Sequence, residues 1–346
     1  MVPSVNAPSA HLLCEAANLK GESMNRTFTR RGLVATTALS ASALMTQPRR
    51  AYAAGKHFAY LTPGLDLPFW RILAKGIDDE AKAAGGGSTA YDSHNNAQTQ
   101  IQNAQDAIAR KVDGILISPT DSSTCPAVLN LAKRAGIPVV IADIGTTGGE
   151  YVSFIISDNY QGAYGIGKVL AQKMTARGGA KTVGLVTISL ARNNGKARTS
   201  GFMKAMDEAG IKQAALSQMQ TYTADETLHF VQDMLTAHPD LGGLFIQTDQ
   251  PTIGALRAVS AARKQNQVLV AAFDGIPEFV DLIKKGTIVG SGMQQPYLMG
   301  QRSAQAMLDH FAGKTPDKQI LVPIQVVTQE NIAQMEPIIR KTVFGE

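Results

Sequence analysis

The sequence predicts an α/β fold built as two doubly wound parallel-sheet lobes, and three observations predict it. Short apolar runs lack the polar alternation of half-exposed strands, as strands buried on both faces do. Stretches of helical period stand between those runs. About a dozen strand–helix units are more than one twisted sheet holds comfortably, so the units divide between two sheets. A chain of 346 residues has the length for two domains of ordinary size.

The apolar runs are 58–62, 114–118, 137–143, 182–187, 243–247 and 268–274. The first helix follows from Phe69, Ile72, Leu73 and Ile77, whose offsets of 3, 4 and 8 residues draw one apolar stripe. Further helical patterns run near 97–110, 122–135, 159–177, 196–209, 225–237, 250–264 and 296–312. Gly136, Gly210 and Gly313 stand where helices should stop. Gly162, Gly165 and Gly167 lie inside a helix pattern rather than opening one, and their G-x-x-G-x-G order is not a dinucleotide fingerprint. They suit close helix packing.

In open parallel sheets, ligands bind outside the carboxyl ends of the strands. Those ends read Ser118-Pro119-Thr120-Asp121, Asp143, Thr248-Asp249 and Phe273-Asp274-Gly275. Any one of them serves as well as a simple helix cap. Their value as a site rests on several converging from two lobes.

Residues 1–53 read as an upstream extension and an export signal. Thr29-Arg30-Arg31-Gly32-Leu33-Val34, an apolar stretch to Met45 and then Ala51-Tyr52-Ala53 have the order of a twin-arginine signal peptide. This predicts a mature protein beginning at Ala54 and a periplasmic location. Met24 is the expected initiator, with Met1 the alternative, and Leu13 stands where lipidation at Cys14 would need a small residue. The whole chain carries a formal charge of +5, but residues 1–53 hold six basic and two acidic residues, which leaves +1 for the rest. Nucleic acid and anionic membrane are therefore not expected partners. Cys125 alone remains after Ala54, so no intrachain disulfide forms. His57, His94, His229, His238 and His310 are scattered without metal-ligand spacing, and no residue cluster calls for a metal or an organic cofactor.

Several short segments, taken in order, carry a resemblance to a known family. They are Leu67-Pro68-Phe69-Trp70, Ser118-Pro119-Thr120-Asp121, Ile156-Ser157-Asp158-Asn159, Ala197-Arg198-Thr199-Ser200-Gly201-Phe202, the 235–240 segment, Gly254-Ala255-Leu256-Arg257-Ala258 and Phe273-Asp274-Gly275. Over roughly 56–331 the chain resembles the periplasmic sugar-binding proteins of the ribose-binding type, which feed ABC importers. The resemblance implies the type I periplasmic binding fold, with a three-crossover hinge. The first lobe then takes 54–157 plus 295–324, and the second 158–294 plus 325–346.

It also implies a ligand set. Phe69 and Trp70 match the aromatic pair that packs on the apolar face of a sugar ring. Asp143 and Asp274 match two carboxylates that accept from sugar hydroxyls, and Arg198 an arginine that donates to ring or hydroxyl oxygens. Tyr222 stands for an aromatic of the second lobe and Gln294 for a glutamine at the third crossover. Ser118 and Thr248 replace asparagines, Leu67 replaces a third, and Ile144 replaces an arginine beside the first aspartate. Two apolar replacements argue against ribose and for a deoxy sugar, a sugar alcohol or another partly reduced polyol. The implied partners are an ABC permease with its ATPase, met by a monomer; presentation to a membrane sensor or chemoreceptor is the alternative. Asp143 with Asp274 has the look of a glycosidase pair. Nothing in the sequence raises the pKa of either, so binding without turnover is expected. Asp274→Ala or Arg198→Ala is expected to abolish tight binding with the fold intact.

Overall fold

The computed structural model describes residues 55–346, so the export signal, both candidate initiators, Cys14 and the Ala54 start lie outside the described residues. The first elements in chain order are β1 (His57–Thr62), α1 (Pro68–Ala83), β2 (Gly87–Asp92), α2 (Ala97–Ala109), β3 (Gly114–Ile117), α3 (Cys125–Ala135), β4 (Val139–Ala142) and β5 (Phe154–Ser157). Next come α4 (Asn159–Arg177), β6 (Thr182–Thr187), α5 (Asn193–Glu208), β7 (Lys212–Gln218), α6 (Ala224–Ala237), β8 (Gly243–Ile246), α7 (Asp249–Ala261) and β9 (Leu269–Phe273). The chain ends with α8 (Glu278–Lys284), β10 (Gly290–Met293), α9 (Pro296–Phe311), β11 (Gln319–Val322), β12 (Gln325–Thr328) and α10 (Ile332–Thr342).

These strands form two six-stranded sheets of matching order, β2-β1-β3-β4-β5-β11 and β7-β6-β8-β9-β10-β12. The chain crosses from one sheet to the other three times: between β5 and β6, between β10 and β11, and between β11 and β12. At the crossovers Gln295 Nε2 donates to the Pro323 carbonyl at 2.7 Å, tying the second passage to the third. All pairings are parallel except β10 with β12, which is antiparallel.

Each sheet is covered on both faces, which is why its central strands read as unbroken apolar runs. In the first, Phe58, Tyr60, Leu116 and Val140 pack with Leu73 and Ile77 of α1 and Met299 and Met307 of α9. Ala59, Leu61, Ile115, Ile117 and Ile141 face Ala104, Val128 and Leu129 of α2 and α3. The second sheet is clad in the same way.

The six predicted runs are all strands, and the helical patterns are all helices, with ends shifted by up to three residues. Three of the strands not predicted have physical reasons for it. β2 and β7 lie at sheet edges, half-exposed and short of apolar residues. β10 reads Gly-Ser-Gly-Met, a poor strand by propensity, yet it is wholly buried. Gly290 has φ 154°, and a Cβ there would lie 2.4 Å from the Val327 carbonyl oxygen, so close backbone approach selects glycine. Gly167 does serve helix packing: a Cβ there would lie 2.9 Å from that of Ala205 on α5.

Candidate functional site

The two sheets have matching orders, and residues that follow the carboxyl ends of their strands, where doubly wound sheets bind ligands, line one cavity. Asp143 follows β4 and Asp274 follows β9, and both sit in left-handed backbone, at φ 63° and 62°. Tyr222 joins them at φ 59°. Such geometry costs a non-glycine residue about 1–3 kcal/mol and clusters at functional sites. Each aspartate is held by the neighbouring strand: Asp143 N donates to the Ile155 carbonyl at 2.8 Å, and Asp274 N to that of Gly292 at 3.0 Å.

Helix starts complete the ring. Asn96, Asp158 and Thr223 cap α2, α4 and α6 by accepting from a first-turn N–H. α1, α5 and α7 begin instead on Leu67, Arg192 and Thr248, with no side-chain cap. Their leading residues are turned to other uses. Pro68 starts α1 with a φ already set for the helix and brings Phe69 and Trp70 into its first turn. Those two rings meet edge to face, centroids 4.7 Å apart. Thr248 Oγ1 donates to Asp274 Oδ2 at 3.1 Å.

The two carboxylates have unlike surroundings. Asp274 has a protein donor on each oxygen: Gln294 Nε2 donates to Oδ1 at 2.7 Å, while Arg198 Nη1 (3.2 Å) and Thr248 share Oδ2. Arg198 is itself locked, donating from Nε to Asn159 Oδ1 at 2.8 Å and from Nη1 to the Gln247 carbonyl at 2.7 Å. Its guanidinium carbon lies 4.2 Å from the Phe273 ring centroid. Asp143 receives one bond, from Asn194 Nδ2 to Oδ2 at 2.9 Å, and its buried Oδ1 has no hydrogen-bond partner. Gln294 Oε1 is likewise buried and unpaired. Burial pushes the Asp143 carboxyl up to about 6, with Arg198 opposing and Asp274 adding to the rise. The sequence offered no reason for a raised carboxyl; complete burial supplies it. Asp249, at the start of α7, is pushed up to about 7 by burial and by the charge of Asp274.

Eight of the nine predicted ligand residues line one cavity: Phe69, Trp70, Asp143, Arg198, Tyr222, Thr248, Asp274 and Gln294. Ser118 does not. Its hydroxyl pairs with Tyr60 Oη at 3.0 Å inside the first lobe, and Gln100 Nε2 takes its carbonyl at 3.0 Å. Leu67 lines the cavity, but Ile144 does not; it packs into the first-lobe core with Phe69 and Leu116. The apolar contact expected from Ile144 comes instead from Ile188 of the second lobe. Arg192 and Asn194 also line the cavity and were not anticipated. They follow β6, so the strand-end rule applied to Thr187 as well would have found them.

These two residues carry bonds across the cleft. Arg192 Nε donates to the Thr120 carbonyl at 2.8 Å and Nη2 to Asn95 Oδ1 at 2.8 Å, beside the Asn194–Asp143 bond. Asn193 N donates to Ser122 Oγ at 3.3 Å. With the cleft shut in this way the cavity measures about 30 Å³, room for only a few waters, so entry of a sugar-sized ligand requires the lobes to part. Among the described residues, no group of three or more His, Cys, Asp and Glu is placed to hold a metal ion, and no helix is long and apolar enough to cross a membrane.

A family model described as a periplasmic binding protein domain matches residues 58–315. The ribose import binding protein RbsB of Escherichia coli (strain K12) is 32% identical over 297 residues, covering 85% of this chain and 98% of that protein. Among solved structures, a glucose-galactose binding protein, GanP, from Geobacillus stearothermophilus superposes with a TM-score of 0.73 at 25% identity, over 80% of this chain and 98% of that one. A carbohydrate transporter solute binding protein from Agrobacterium radiobacter, in complex with D-arabinose, reaches a TM-score of 0.77 at 22% identity, over 84% and 99% of the two chains, and bears on the fold alone.

Proposed function

This chain belongs to the periplasmic binding protein domain family, and on that premise we propose that it captures a small sugar or sugar alcohol between two lobes and delivers it to an ABC importer. The observation that carries the reading is convergence: eight side chains, named from a sequence resemblance and drawn from both sheets, meet around one cavity. Two buried acceptors there, Asp143 Oδ1 and Gln294 Oε1, lack the donors that ligand hydroxyls would supply. The lobes are 54–157 plus 295–324 and 158–294 plus 325–346, which agrees with how the strands divide between the sheets. Ligand stabilises the closed form only through contacts that the open form lacks.

Export by the twin-arginine route to the periplasm, action as a monomer, and recognition of the closed form by a permease with its ATPase complete the proposal. Binding without turnover is favoured by the state of the carboxylates. Asp143 has the raised pKa of an acid, but Asp274 has both oxygens engaged by Arg198, Thr248 and Gln294 and is not free to activate water or attack carbon. Cys125, the one thiol among the described residues, is buried and pushed up to about 12, which leaves it inert.

The ligand class is a deoxy sugar or a polyol. Leu67 and Ile188 offer apolar surface to the same cavity that Arg198, Asp274 and Gln294 line with polar groups. The test is thermal unfolding against pentoses, hexoses, their deoxy forms and polyols. A ligand at 100 times its Kd should add about 2.7 kcal/mol, and the midpoint should rise for one small chemical group. No rise with any compound refutes the sugar reading.

A further inference from the structure

One guanidinium of the cleft has a donor to spare. Arg192 precedes α5 on extended backbone, φ −91° and ψ 133°, and its side chain crosses to the first lobe. A guanidinium donates from Nε, Nη1 and Nη2 in one plane. Nε reaches the Thr120 carbonyl and Nη2 reaches Asn95 Oδ1, each at 2.8 Å. Nη1 has no hydrogen-bond partner among the described residues. Both acceptors of Arg192 are neutral, whereas Arg198 has the Asp274 carboxylate at 3.2 Å. Arg192 is 5% exposed, so bulk water has little access to it. The guanidinium is steadied over the Tyr222 ring, whose own hydroxyl accepts from Ser189 N at 3.2 Å. Arg192 lines the same cavity as Asp143 and Gln294, so what fills that cavity can supply the missing acceptor.

We infer that Arg192 is itself a ligand-binding residue, its Nη1 donating to a ligand hydroxyl oxygen in the closed cleft. The inference rests on the sugar or polyol reading above. It matches what the cavity lacks. Asp143 Oδ1 and Gln294 Oε1 are buried acceptors waiting for hydroxyl protons, and Nη1 is a donor waiting for hydroxyl lone pairs. A hydroxyl both donates and accepts, so a polyhydroxy ligand meets both needs at once. A hydrogen bond from an ionised donor is about twice as strong as a neutral one. Thr120 and Asn95 hold the guanidinium only when the lobes meet, so this contact belongs to the closed form and favours closure.

A latch that never touches ligand acts on the lobes alone, and its loss weakens every ligand by one common factor. A contact adds a penalty that disappears for the ligand lacking the contacted hydroxyl. The experiment is therefore a double-mutant cycle between protein and ligand, read as Kd by calorimetry. The probes are D-ribose, D-glucose and D-glucitol with their monodeoxy and dideoxy relatives, the tightest-binding member of each series serving as reference. Wild type is compared with Arg192→Ala and with Arg192→Met, which keeps the aliphatic stem over Tyr222. In wild type, removing one particular hydroxyl of the reference ligand should weaken binding about tenfold. Both variants should raise the Kd of the reference about tenfold more than that of the relative without this hydroxyl. A series in which no deletion weakens binding to wild type overturns the inference without recourse to the variants. So does a penalty equal within about twofold across every series in a variant whose unfolding midpoint shows it folded. Arg192 is then a latch alone, its Nη1 left to water in the adjoining cavity by Asn95 and Thr221, and sugar binding stands. Failure of wild type to bind any sugar or polyol overturns the proposed function, and the inference with it.

Discussion

Replacing Arg192 by alanine tests whether the closed cleft is held by the protein's own contacts. The guanidinium is 5% exposed, makes two cross-cleft bonds of 2.8 Å, and lies 5.0 Å from the Tyr222 ring centroid. Hydrogen bonds from a charged donor contribute about 1.5–3 kcal/mol each, and stacking on a ring about 0.5–1 kcal/mol more. Opposing this, the open form gives the guanidinium back to water, and burial already pulls its pKa down. A net of about 1–2 kcal/mol in favour of closure remains, a factor of about 5–30 in the ratio of closed to open protein. Trp70 is the only tryptophan of the chain and lines the same cavity, so its emission reports closure directly. Unliganded Arg192→Ala should emit further to the red than wild type and be quenched more readily by acrylamide. Saturating ligand should restore the wild-type spectrum, at a Kd raised by about 3–15-fold from loss of the latch alone, since a wild-type cleft near balance already has about half its population open. Unchanged emission, quenching and affinity would refute the reasoning and reduce these bonds to contacts that water replaces at no cost.

Other expectations concern charge. Asp143 and Asp249 have folded pKa values of about 6 and about 7, above the ordinary carboxylate value, so the folded protein binds protons the unfolded chain does not. Their contribution to stability is full below the ordinary value and is lost as pH rises through about 6 and about 7. The unfolding midpoint of unliganded protein should therefore rise as pH is lowered from about 8 to about 5. Affinity should move the other way, with Kd rising by up to about tenfold per pH unit below about 6 and calorimetry showing proton release on binding. A flat midpoint, or affinity independent of pH, would exclude an ionised Asp143 as acceptor. Arg198→Ala should weaken binding and also lower stability by about 3–5 kcal/mol in urea unfolding, because it strands Asp274, Asn159 and the Gln247 carbonyl. Arg198→Lys, which keeps the charge without the fork, should recover more stability than affinity; equal recovery of both would deny the fork a part in binding.

What was legible in the sequence followed from burial on two faces. Runs such as Gly114–Ile117 and Gly243–Ile246 announce central strands because nothing polar is tolerated there. The edge strands β2 and β7 left no such mark, and β10 ran against propensity because Gly290 and Gly292 are demanded by neighbours distant in sequence, Val327 and Phe273. In the site, residues were legible where strand ends were inspected, and Arg192 and Asn194 were lost where one was not. Ser118 shows the limit of position alone. By register it occupies in the first sheet the place that Gln247 holds in the second, one residue short of the counterpart of Thr248: Ser118 N donates to the Leu61 carbonyl as Gln247 N does to that of Val186, so its hydroxyl stays within the lobe on Tyr60 while Thr248 turns to Asp274. Arg198 was legible as a ligand contact, but its bonds to Asn159 and Gln247 make it a structural member too, so the expectation of an intact fold after Arg198→Ala is revised.

The unequal carboxylates give closure its dependence on ligand. All partners of Asp274 come from the second-lobe segment, so its bonds are compatible with an open cleft. The one partner of Asp143 comes from across the cleft, and shutting the lobes over it buries Oδ1 without a hydrogen bond. A buried acceptor left unpaired costs about 1–3 kcal/mol, and more when charged. That cost is of the same order as the gain from Arg192, so the two offset each other and the unliganded protein stands near balance. A ligand hydroxyl at Oδ1 removes the cost and leaves the latch unopposed. Asp143→Asn, which keeps an oxygen for Asn194 while removing the charge, should therefore shift unliganded protein toward closure at pH 8. Its Trp70 emission should move to the blue, opposite in sign to Arg192→Ala. Lowering the pH of wild type through about 6 should reproduce the shift by protonating the same group. If both variants moved emission in the same direction, the balance between latch and orphaned carboxylate would not be what sets the resting cleft.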